Sequence, residues 1–239
     1  MADASSDPFE CSGIIFDLGG VVLNSPFAAI AEFEQELGCE PNTINVIIQK
    51  SGRDGAFAKL ERGELTFDNF AEPFARDCER AAVLPVDGLE LMRRIASACT
   101  PRPLMLDALR VLKESPGVRT AALTNNFIMG EEAGAFADAT ATVRPLFDVV
   151  VESAVEKIRK PDPRIYEVAC KRLGVEPHRC VFLDDIGRNL KPAQALGMQT
   201  IKCDLGDTTG ARALGSLAKL LGERGAGQKL RAALRLAKL

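Results

Sequence analysis

Gly13-Ile14-Ile15-Phe16-Asp17-Leu18-Gly19-Gly20-Val21-Val22, residues 13–22, is the stretch on which the reading of this chain turns. A short apolar run rich in β-branched and aromatic residues meets an acid, then two glycines. Such a run closed by turn formers reads as a buried strand opening into a loop. Asp17 then stands at the strand's carboxyl end, the place where open α/β sheets bind ligands.

Downstream, from about residue 26 to 100, the pattern changes. Apolar residues recur at three- and four-residue spacing: Phe27, Ile30, Phe33 and Leu37, then Phe67, Phe70 and Phe74, with Phe57 and Leu60 between them. This predicts short amphipathic helices and almost no strand. Gly63 marks a break, and Thr66 with Asn69 gives a weak cap signal. After Pro103 strand and helix signals alternate. Helices are expected over 104–113, 129–139, 163–173, 189–196 and 211–221, and strands over 120–123, 147–151, 181–183 and 198–202. Alternation of this kind implies a mostly parallel sheet flanked by helices. The expected fold is α/β, with a Rossmann-like core drawn from residues 11–23 and 103–222. An all-helical insertion, 24–102, interrupts it. Gly222–Gln228 reads as a flexible linker, so that 223–239 form a linker and a C-terminal amphipathic helix.

Composition narrows the classes. The chain has 239 residues, 46% apolar and 26% charged, enough for a sizeable core. A net charge of −3 argues against a general nucleic-acid binder. No apolar run reaches 18 residues, so no membrane span is expected. The first residues show neither the basic start nor the apolar stretch of a secretory signal. Seven cysteines, Cys11, Cys39, Cys78, Cys99, Cys170, Cys180 and Cys203, include no C-x-x-C pair. They read as reduced, mostly buried thiols of an intracellular protein rather than zinc ligands or a disulfide framework. The terminal Ala237-Lys238-Leu239 resembles the peroxisomal tripeptide Ser-Lys-Leu, and Lys229, Arg231 and Arg235 add positive charge upstream. A cytoplasmic or peroxisomal location, with the import receptor as partner, is the expectation. A basic helix that ends this way by chance is the alternative.

Chemistry is sought just after each strand. Those positions hold Asp17, then Thr124-Asn125-Asn126, then Lys160, then Asp184-Asp185. The mixture suits phosphoryl transfer. A carboxylate nucleophile splits phosphate-ester hydrolysis into two steps. Its charge must be screened from the phosphate, and magnesium prefers carboxylate, carbonyl and water oxygens. Asp17, Asp185 and the Gly19 carbonyl are candidate ligands. Lys160 supplies positive charge, and the Thr124 hydroxyl with backbone amides near Asn125 can hold phosphate oxygens.

Phe-Asp-Leu-Gly-Gly-Val-Val (16–22), Leu-Thr-Asn-Asn (123–126), Lys-Pro-Asp-Pro-Arg-Ile-Tyr (160–166) and Val-Phe-Leu-Asp-Asp-Ile-Gly-Arg-Asn-Leu-Lys-Pro-Ala (181–193) resemble, in order, the four motifs of haloacid dehalogenase-like hydrolases. The last two are close to the N-terminal phosphatase domain of soluble epoxide hydrolases and the related domain fused to some acyl-CoA dehydrogenases. The resemblance covers roughly residues 12–205. It implies a magnesium-dependent phosphatase acting on a small phosphorylated molecule, with Asp17 as nucleophile. It further implies Thr124 as the phosphate-binding hydroxyl, Lys160 as the charge-stabilising lysine, and Asn125 and Asn126 beside phosphate. Asp185 becomes a direct metal ligand and Asp184 one through water, with Asn189 supporting the metal loop and 24–102 forming a helical cap.

Gly19 departs from the pattern. Family phosphatases usually carry a second Asp there as general acid and base, a role worth ~10²–10⁴-fold. Its absence leaves three outcomes open: another proton donor, a substrate with a good leaving group, or a slow or retired enzyme. Two other functions stay in view. Dehalogenation of a small haloacid needs no proton on the departing halide, but the Asp184-Asp185 pair suits a metal it does not require. A non-catalytic binding protein on the same fold draws its support from Gly19. The single histidine, His178, reads as a surface loop residue. Arg53, Lys59 and Arg62 read as a solvated helix face, and the phenylalanines as the insertion's own core.

Overall fold

The computed structural model describes residues 10–81, 86–128 and 134–236. Five strands, β1 (Gly13–Phe16), β2 (Arg119–Thr124), β3 (Val149–Glu152), β4 (Cys180–Asp184) and β5 (Gln199–Lys202), form one sheet in the order β3-β2-β1-β4-β5. Every pairing is parallel. β1 lies at the centre, so its four residues are all buried. Its side chains alternate between faces, as a strand requires. Ile14 and Phe16 pack with Leu109, Leu112, Leu214 and Leu217, whereas Ile15 packs with Ile165, Tyr166 and Leu173.

The helices that cover these faces are α6 (Pro103–Lys113), α7 (Gly134–Val143), α8 (Ser153–Glu156), α9 (Pro163–Leu173), α10 (Gly187–Ala195), α11 (Ala211–Leu220) and α12 (Gly225–Leu236). Their ends follow local chemistry. Asp162 accepts a hydrogen bond from the Arg164 amide at 3.0 Å, Pro163 opens α9, and Gly174 closes it in the left-handed conformation.

The insertion is all-helical: α1 (Phe27–Glu36), α2 (Thr43–Lys50), α3 (Ala56–Glu61), α4 (Ala71–Arg80) and α5 (Gly88–Ala98). It has its own core of Ile30, Phe33, Ile44, Phe67, Phe70, Phe74 and Leu91, with the Phe70 and Phe74 rings stacked at 5.0 Å. Asn69 accepts from the Thr66 amide at 2.7 Å, so the weak cap signal is realised on a single 3₁₀ turn. The two crossings between insertion and core are clipped side by side. The Asn24 amide donates to Thr100 O at 2.8 Å and the Arg102 amide to Val22 O at 3.0 Å. Buried Arg102 reaches back to the Val21 carbonyl and the Asn24 side chain.

Two expectations require correction. Residues 222–228 are not a linker, because α12 begins at Gly225 and packs Ala226 and Leu230 into the core beside α6 and α11. Gly227 serves close approach: a Cβ there would stand 2.1 Å from the Gly222 carbonyl. The helix expected over 129–139 runs instead from Gly134 to Val143 and stops at the turn containing Pro145. Its first expected residues, 129–133, lie outside the described residues, as do Ala237, Lys238 and Leu239. Among the described residues no helix is long and apolar enough to cross a membrane.

Candidate active site

Three strand ends and one loop converge at the junction of core and cap. Asp17, Thr124, Asn125, Lys160 and Asp185 all line one cleft of about 760 Å³. Lys160, only 1% exposed, is the hub. Its Nζ lies 2.9 Å from Asp17 Oδ2 and 2.8 Å from Asp184 Oδ2. Asp184 is held from behind: it accepts from the Ile186 amide at 2.7 Å and from Asn189 Nδ2 at 3.1 Å. Asn189 thereby fixes the loop that carries both acids. Asp17 Oδ1 accepts from the Leu18 amide at 2.7 Å.

Charge is unbalanced here. One carboxylate oxygen each from Asp17, Asp184 and Asp185 lies within 4.8 Å of the others, and all three residues are buried. Three carboxylates face one ammonium, which leaves two negative charges in excess. Burial, against the pull of Lys160 and with the push of Asp184 and Asp185, raises the Asp17 carboxyl well above the ordinary range. Burial and then Asp184 lift Asp185 to about 6. Burial also opposes the charge on Lys160, but Asp17 and Asp184 outweigh it and the ammonium is held more tightly than usual. Asp185 Oδ1 is buried and has no hydrogen-bond partner. An orphaned buried oxygen in an acid cluster fits a divalent cation of the hard, oxygen-seeking kind. Gly20 makes room for the Asp185 carboxylate: φ is +75°, and a Cβ there would sit 2.1 Å from Asp185 Oδ2.

The asparagines divide. Asn125 grips the backbone of Lys160 twice, accepting from its amide at 2.8 Å and donating to its carbonyl at 3.0 Å. It positions the lysine and also faces the cleft. The Asn126 side chain turns away to Glu152 at 2.8 Å and is not among the residues that line the cleft. Arg53, Lys59 and Arg62 do not line it either, and Arg62 pairs with Glu64. Of the insertion's phenylalanines, Phe27 and Phe57 reach the cleft wall while Phe33, Phe67, Phe70 and Phe74 fill the cap's core.

Sequence reading missed Glu61, Arg159 and Arg188 on the cleft wall. Glu61 ends α3 in the cap, and its Oε2 lies 2.7 Å from Arg159 Nη2 in the core. Its carbonyl accepts from Ser153 Oγ at 2.6 Å, and Ser153 Oγ accepts from the Asn126 amide at 2.9 Å. Adjacency of Arg159 to Lys160 and of Arg188 to Asn189 was the available signal. For Glu61, which lies 99 residues before Lys160, there was none.

The model of haloacid dehalogenase-like hydrolases matches residues 11–197. The chain belongs to that family. Curated relatives include mouse acyl-CoA dehydrogenase family member 10, 36% identical over 82% of this chain and 18% of the relative. Pig bifunctional epoxide hydrolase 2 is 34% identical over 78% of this chain and 35% of its own length. The chain thus spans about a fifth to a third of these relatives. Phosphatase MT3486 of Mycobacterium tuberculosis is 33% identical over 81% of this chain and 87% of its own. Among solved structures, a HAD family enzyme of Bacteroides thetaiotaomicron in complex with magnesium and inorganic phosphate superposes with a TM-score of 0.59. It is 23% identical, over 82% of this chain and 96% of that one, a likeness of fold.

Proposed function

We infer that this hydrolase cleaves phosphate monoesters through an aspartyl-phosphate on Asp17. The observation that carries the reading is the Lys160 ammonium clasped between Asp17 and Asp184 at the base of a cap-covered cleft. Asp17 attacks phosphorus in line, the ester oxygen leaves on the opposite side, and water then releases phosphate and restores the carboxylate. Lys160 draws charge from the nucleophile before attack and from the phosphoryl oxygens during transfer. Thr124, whose hydroxyl has only a 3.5 Å contact to the Asn125 carbonyl, is free to donate to a phosphoryl oxygen. Asp17, the Gly19 carbonyl and Asp185, with Asp184 behind them, are the groups that would hold magnesium. The ion would supply the positive charge that three acids and one lysine lack. Phe27, Ile30, Ile48, Phe57 and Ile95 line the cleft above, which favours an ester with an apolar body.

Gly19 alone favours the dehalogenase reading, since halide departs without a proton. The excess of buried carboxylates favours the metal-dependent phosphatase. The test is hydrolysis of an aryl and an alkyl phosphate, with magnesium and with chelator, beside Asp17→Asn. Expected is magnesium-dependent activity lost in the variant. Undiminished activity in Asp17→Asn would remove the nucleophile, and indifference to chelation would remove the metal.

A further inference from the structure

We propose that Glu61, reaching in from the cap, is the proton donor to the leaving group that Gly19 cannot be. The inference rests on the phosphatase reading above. In-line transfer puts the departing oxygen opposite Asp17, hence away from the strand ends and under the cap. The donor must therefore come from the cleft wall. Four carboxyl groups are found there among the described residues: Asp17, Glu34, Glu61 and Asp185. Asp17 is the nucleophile and Asp185 belongs to the cation cluster. Glu34 is committed to the start of α2, accepting from the Asn42 and Ile44 amides at 2.7 Å each. The cleft-lining Cys99 thiol is pushed by burial up to about 12, too high to cycle a proton near neutrality.

Glu61 remains, and its setting suits the task. It is 8% exposed, and Arg159 approaches its Oε2 to 2.7 Å without hydrogen-bond alignment, so that neither Oε2 nor Arg159 Nε has a bonded partner. A carboxyl oxygen with no donor aimed at it is a place for a proton of its own. Burial raises its affinity for that proton against the pull of Arg159, Arg188, Lys160 and Arg62. Its ion-pair partner Arg159 is the chain neighbour of Lys160, and all three line the cleft that also holds Asp17. In the first step an Asp17 oxygen bonds to phosphorus, the bond from phosphorus to the ester oxygen breaks, and that oxygen takes the Glu61 proton. In the second, the Glu61 carboxylate takes a proton from water as the water oxygen bonds to phosphorus. Asp17 departs as carboxylate, and Glu61 is protonated again.

The test is the ratio of alkyl-alcohol to nitrophenolate release in a single turnover, which loss of folded protein does not alter and which the shared breakdown of the aspartyl-phosphate does not enter. An alkyl alcohol needs a proton to leave and a nitrophenolate does not. In Glu61→Gln that ratio should fall by ~10²-fold or more, while breakdown of the aspartyl-phosphate slows alike for both esters and the requirement for Asp17 persists. Arg159→Met removes the ion pair but keeps the acid, and its ratio should stay near that of the parent. An unchanged ratio in Glu61→Gln, or an equal fall in both variants, would overturn the assignment and leave Glu61 a cap–core contact. Neither result touches the phosphatase reading, which stands or falls with Asp17→Asn.

Discussion

Replacing Asp185 by Asn should make the metal-free protein more stable while abolishing its response to magnesium. Asp185 is buried, its Oδ1 is unpartnered, and Asp17 and Asp184 crowd it within 4.8 Å. Burial first, then Asp184, lifts its carboxyl from 3.8 to about 6. At about 1.36 kcal/mol per pKa unit, ionising it in the folded chain rather than the unfolded one costs about 3 kcal/mol. The folded chain binds this proton more tightly. The associated stability is therefore full below pH 3.8 and is lost as pH rises towards 6. A neutral amide escapes the loss and can donate to a neighbouring carboxylate. Urea denaturation followed by circular dichroism, with chelator at pH 7, should show the variant ahead by up to about 3 kcal/mol, shrinking to under about 1 kcal/mol at pH 4. Saturating magnesium should raise the Tm of the parent and leave that of the variant in place. A variant less stable than its parent at pH 7 in chelator would refute the charge-excess argument.

Three further outcomes follow from the same site. Gly20→Ala puts a Cβ 2.1 Å from Asp185 Oδ2 at φ +75°. It should cost about 1–3 kcal/mol in denaturant melts and blunt the magnesium-induced rise in Tm. Lys160→Met strips the counter-charge from two buried carboxylates, and should destabilise the chelated protein by about 3–5 kcal/mol as well as silencing turnover. The Cβ added by Gly19→Asp meets nothing nearer than Pro26 Cδ at 3.9 Å. It should lower the Tm of the chelated protein, because a further carboxylate joins the crowded acids, and raise kcat on alkyl phosphates, by more in the Glu61→Gln background than in the parent.

How much of this was legible in sequence depends on how local each signal was. α9 was read to the residue, because Pro163 and Gly174 mark its ends within the chain itself. Ile14 to Phe16 announced a buried strand because a central parallel strand is apolar on both faces. The 222–228 glycines misled, since a glycine that loosens a linker and one that lets Gly227 touch the Gly222 carbonyl are identical on paper. Asn125 and Asn126 are adjacent in sequence, yet one clamps Lys160 and the other bonds Glu152 outside the cleft. Nothing local separates them.

The order of the strand-end residues was thus enough to point to the family and to the cleft that Asp17, Thr124, Lys160 and Asp185 share, because a parallel sheet delivers every strand's carboxyl end to one edge. The cap's share was decided in space alone. Glu61 meets Arg159 only after five helices have folded over the sheet. No periodicity in a chain encodes which residue of one folded unit will face the open side of another.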